Sequence, residues 1–92
     1  MKMIVPVRLI LVKAAILATL YEVPGHRGRL LDFHMALYLQ GVPMVVQLVL
    51  LTEMIMYKLC SIEDGFLTLL PAGALEADAW LEAAEAREAS LQ

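Results

Sequence analysis

A single cysteine, Cys60, occurs in the 92 residues, so no disulfide can form within the chain. A lone thiol suits a reducing compartment, and a cytoplasmic protein is expected. Histidine is almost as scarce. His26 and His34 stand eight apart, and with Asp32 and Cys60 they are the only residues that could be grouped as metal ligands. A structural zinc site needs about four close ligands, commonly with paired CxxC or HxxxH spacing. Neither spacing occurs, and no metal or other cofactor is expected. Parts for catalysis are missing as well. Ser61 and Ser90 have no motif around them, and a nucleophile needs a base and an orienting group. Gly25-His26-Arg27-Gly28 lacks the Lys and Ser/Thr of a phosphate loop, and a turn between helices is its expected role. The chain is expected to be no enzyme and to take no small-molecule substrate. Asparagine is absent altogether, which is consistent with a thermophilic source.

Charge is sparse too, at 18% of residues, and it is unevenly spread. Residues 1–60 carry six basic and three acidic side chains, a balance of +3, whereas residues 61–92 carry one against seven, a balance of −6. A mildly basic body with an acidic end points to anionic ligands at the body or, equally, to a solvated acidic helix.

What is abundant is apolar surface. Hydrophobic residues make up 61% of the chain, against about 45–50% in ordinary soluble domains. Residues 1–92 form one domain, and one small core cannot hide so much. The surplus must meet a partner chain or a membrane. Mean hydropathy is +0.73, and Met3–Tyr21 and Met35–Cys60 approach the ~20 residues of a membrane span. Arg8 and Lys13 interrupt the first stretch, each costing about 2.5–3.5 kcal/mol at mid-membrane. Gln40, Pro43, Gln47 and Glu53 break the second. A small membrane hairpin is thus the minor alternative, and a homodimer is the expected outlet for the apolar surplus.

Periodicity predicts four helices and one hairpin. Pro6–Glu22 is a helix with one wet stripe, Arg8, Val12, Ala15, Thr19 and Glu22, ended by Val23-Pro24-Gly25. Arg29–Gln40 is the second helix, stopped by Gly41. Pro43–Leu59 is the third, apolar all round. Asp64-Gly65 between two apolar runs predicts a hairpin over Cys60–Leu70. Pro71 then opens a last helix to Ser90, with Ala77, Trp80, Leu81, Ala84 and Leu91 gathered on one face. Trp80, Leu81, Ala84 and Leu91 are the candidate dimer surface.

The order helix, helix, helix, hairpin, helix makes the fold class mainly α with a small β-hairpin. With "ILATLYEVPG" at Ile16–Gly25 and "DGFLTLLPAGALEADAW" at Asp64–Trp80, it resembles the winged helix-turn-helix domains of prokaryotic transcription regulators of the MarR, ArsR and PadR kinds. The resemblance covers roughly Val12 to Leu81. It implies a small dimeric protein that binds double-stranded DNA and regulates transcription. Its third helix would enter the major groove through Met44, Val45, Gln47 and Leu48, with Arg27, Arg29 and Lys58 on phosphates, and its last helix (71–91) would pair two subunits. Of the four groove candidates only Gln47 can hydrogen-bond a base edge. Glu63 and Asp64 at the wing tip repel phosphate. A winged-helix fold turned to protein–protein assembly is therefore the rival expectation.

Overall fold

The computed structural model describes the backbone of residues 4–90 and the side chains of residues 9–90. Helix α1 runs Ile4–Glu22. Pro6 lies in its first turn, where a missing N–H leaves no helical bond unmade. Ile16, Leu17 and Leu20 are buried along one side. Ala15, Thr19 and Glu22 of the expected wet stripe are exposed, but Leu11 continues it, and Val12 packs on the core instead. The chain then turns through a 3-10 segment, Pro24–His26, in which Gly25 takes φ +80°. The His26 ring sits 5.7 Å from Tyr21 in a stacked pair, with Nδ1 3.2 Å from the Leu20 carbonyl. A histidine donating there adds a second bond to a carbonyl that also accepts from the Val23 N–H at 3.3 Å.

The residues after this segment correct the expectation of a plain turn between helices. Arg27–Arg29 is a strand, β1, and it leads directly into α2, Leu30–Leu39. A turn at Gln40–Pro43 connects α2 to α3, Met44–Met56. Strands β2, Cys60–Glu63, and β3, Phe66–Leu69, form the expected hairpin. Asp64 and Gly65 both have positive φ, 51° and 78°, as a type I′ turn requires. Helix α4 runs Pro71–Ser90. The wing is thus part of a three-stranded antiparallel sheet of order β1-β3-β2, with Gly28 opposite Leu67 and Ile62 opposite Leu67 on the other side. A mainly helical chain with this small sheet is compatible with a winged-helix arrangement.

Helices α2 and α3 end alike. Gly41, φ +88°, donates to the Tyr38 carbonyl while Val42 donates to Leu37. Lys58, φ +60°, donates to Ile55 while Leu59 donates to Met54. Both are Schellman closures, in which a left-handed residue folds the next N–H back onto the helix. The second closure stops α3 at Met56, three residues before the expected end. Glycine would be its ordinary residue, and lysine there gives no signal in the sequence.

The core lies between α1, the inner face of the sheet and α3, around Leu17, Leu20, Met54, Leu67, Leu69 and Ala77. Each large side chain buried there contributes about 1.5–3 kcal/mol. Helix α4 joins it through Gly73 and Ala77. A Cβ on Gly73 would lie 2.2 Å from the Leu59 carbonyl oxygen, so only glycine lets α4 come this close to the start of β2. Lys13 and Glu76, 3.3 Å apart, tie α4 to α1 at the surface. From Glu82 to Ser90 every residue of α4 is exposed. No helix among the described residues is long and apolar enough to cross a membrane.

Candidate interaction face on the second and third helices

Gln47 decides the character of α3. It lies one turn into the helix, 0% exposed, the one buried polar side chain among the described residues. Its Nε2 donates to the Val42 carbonyl at 2.9 Å and more weakly to that of His34 at 3.4 Å. Its Oε1 accepts from His34 Nδ1 at 2.6 Å. With Nε2 facing two carbonyls, the amide oxygen is the atom left for His34, which fixes the hydrogen on Nδ1. Gln47 thus binds α2, the connecting turn and α3 together. This corrects its expected role, because a buried, fully bonded amide has no group to offer a base edge.

With Gln47 turned inward, the hydroxyl of Thr52 is the one group on the outer stripe of α3 that can make a directed contact. Val45, Leu48, Val49 and Thr52 fall at helical spacing and are exposed, and no charged residue occurs between Met44 and Thr52. Met44, Val45 and Leu48 are therefore on the surface as expected, but as an apolar face. Tyr38 and Leu39, at the end of α2, are 68% and 81% exposed, and Tyr38 shares a surface hollow with Gly41, Val42 and Pro43 of the turn that leads into α3. On the other side, Val49 and Leu50 share a groove with Leu9 and Ile10 of α1, closed by Lys13 and Glu53. The sequence signal for this face was present, since an all-apolar helix cannot bury every side in a small domain. The α2 residues were missed because they read equally well as core.

The expected phosphate contacts are not gathered around this face. Arg27 and Arg29 are exposed at alternate positions of β1, so they share the outer face of the sheet with Phe66 and Thr68 of β3. The Arg27 guanidinium lies 4.2 Å from the Phe66 ring centroid, a cation–π contact worth about 0.5–1 kcal/mol at an exposed site. Lys58 is exposed too, but it follows the far end of α3, about 20 Å along the helix from Met44 at 1.5 Å per residue.

On α4, Trp80 and Leu81 are half-buried and Ala84 is exposed, while Leu91 lies outside the described residues. Cys60 is buried, and loss of solvent pushes its thiol up to about 11, so at neutral pH it is a protonated, unreactive hydrophobe. His26 and His34 have separate local partners, and no group of three His, Cys, Asp or Glu among the described residues could hold a metal ion. Comparison of the chain with models of known families, with characterised proteins and with solved structures finds no match.

Proposed function

We propose that this chain is a protein–protein assembly module, a winged-helix type of domain whose docking face is the exposed apolar stripe of α3 continued by Tyr38 and Leu39. The observation that carries this reading is the burial of Gln47. It removes the one base-reading group from the stretch Met44–Leu51 of α3 and leaves there a surface that gains by losing water. Direct readout of DNA works chiefly through hydrogen bonds to base edges, and α3 offers none from Met44 to Leu51. Selection from a random duplex library tests the reading. The assembly role expects no enriched motif, and a reproducible enriched site would overturn it.

A second reading rests on a separate observation, the two exposed guanidiniums of Arg27 and Arg29 on one face of β1. They suit duplex binding through phosphates, without base readout. Four such contacts in a dimer would give a salt slope of about −3.6, at roughly −0.9 per phosphate. Arg27→Ala would then make the slope shallower by about two on every sequence alike. No binding at low salt, or an unchanged slope, would remove this reading.

A further inference from the structure

We infer that the occupant of the α3 face is a second copy of this chain, packed antiparallel across a two-fold axis that passes between Leu48 and Val49. This rests on the assembly role proposed above and names its partner. Three observations carry it. The first is area. Tyr38, Leu39, Met44, Val45, Leu48 and Val49 are each 45–81% exposed. Together they offer on the order of 700 Å², close to the ~800 Å² that each partner buries in a standard-size complex. The largest apolar patch on an ordinary monomer is about 300–600 Å².

The second is self-complementarity. A two-fold contact sets only the residues near the axis against their own copies, so a charge close to the axis meets a like charge. The stripe from Met44 to Thr52 has none. With the axis between Leu48 and Val49, Leu48 stands level with the partner's Val49, and Val45 stands level with the partner's Thr52. The apolar corner at Tyr38 and Leu39 then faces the opposite end of the second α3, where Met56 and Tyr57 are 74% and 68% exposed. Apolar ends therefore meet apolar ends.

The third is charge at the rim. The same register brings Glu53 of each copy level with the first turn of the other α3. That turn has no side-chain cap, and its open N–H groups favour a nearby carboxylate.

The test is sedimentation of the full chain at 10–100 micromolar, with Leu48→Glu and, as a control on α4, Leu75→Glu. Both positions are exposed, 53% and 75%, so both variants should keep the wild-type circular dichroism, and Leu75→Glu should also keep the wild-type melting temperature. The expected result is a wild-type and Leu75→Glu mass twice the 10.2 kDa of one chain, and a Leu48→Glu mass of one chain with at least tenfold weaker self-association. A crosslink adds a readout that does not need the dimer to break. With Cys60→Ala, a Leu48→Cys protein should form an interchain disulfide under mild oxidation, because facing Cα atoms of packed helices come within bonding range. A wild-type monomer, or a dimer indifferent to Leu48→Glu and not trapped by Leu48→Cys, overturns the inference. Titration with the apolar dye bis-ANS separates the two levels of failure. If the dye binds and Leu48→Glu abolishes its binding, the face is open to a different protein and only the second copy is wrong. If the dye ignores Leu48, the docking face itself is wrong. Flotation of the monomer with phosphatidylcholine vesicles would assign the face to a lipid surface and would also overturn the inference.

Discussion

Replacing Gln47 with leucine keeps the volume and removes the amide. Three contacts go with it, the 2.6 Å bond from His34 Nδ1 and the two from Nε2 to the carbonyls of Val42 and His34. The leucine side chain itself suits the site, because Gln47 is wholly buried. The cost comes from the groups left behind. Stranding a buried donor or acceptor costs about 1–3 kcal/mol, the upper end where water cannot reach it. Val42 and His34 are half-buried, so water can repair part of the loss. Two principal stranded groups then give a net destabilisation of about 2–4 kcal/mol. For a domain of this size each kcal/mol lowers the melting temperature by about 4–8 °C, so a fall of at least about 8 °C is expected. Urea unfolding followed by circular dichroism measures the free energy directly. Hydrogen exchange at the 40–43 turn should quicken as well, because the clamp that holds it is gone. A His34→Ala, Gln47→Leu double-mutant cycle should show a coupling of about 0.5–3 kcal/mol. If Gln47→Leu changes stability by less than about 0.5 kcal/mol, as a surface base-reader would, the interior clamp is refuted.

Three further outcomes are expected from the packing. Gly73→Ala should cost at least about 1–3 kcal/mol, since its Cβ meets the Leu59 carbonyl, and a thermal melt equal to wild type would contradict the close approach of α4. Lys58→Gly should stabilise by about 0.5–1 kcal/mol by relieving a left-handed lysine, and denaturant titration reads the sign. Cys60 should resist thiol reagents at neutral pH until the protein unfolds, and its rate should track global unfolding. Because folding raises that thiol from 9.0 to about 11, its stabilising contribution is complete below pH 9 and is lost as pH rises towards 11. A Cys60→Ala protein should lack that alkaline component in its pH–stability profile.

The sequence by itself determined the elements that have a local cause. Asp64-Gly65 dictated the hairpin, because both residues tolerate positive φ where two apolar runs must reverse. Pro71 dictated the start of α4, Gly41 the end of α2, and Val23-Pro24-Gly25 the end of α1. The exposure of Met44, Val45 and Leu48 was implied only by the winged-helix resemblance, because a helix that is apolar all round does not show in its sequence which side stays open. Other features had no such cause and were decided by tertiary structure. Arg27–Arg29 is too short to carry a period and becomes a strand only because β3 presents an unpaired edge and Gly28 lies against Phe33. Lys58 ends α3 because Leu59 must turn back into the core beside Met54, which outweighs the strain of a left-handed lysine. Gln47 reads from the sequence as the polar member of an apolar helix, and therefore as its wet side. It is interior because His34 and the Val42 carbonyl, separated from it by 13 and 5 residues, converge on one point only after α2 folds back over α3. Helical spacing sets which residues share a face. Which face is turned inward depends on where partners for the polar groups come to stand, and that is fixed only when the helices pack.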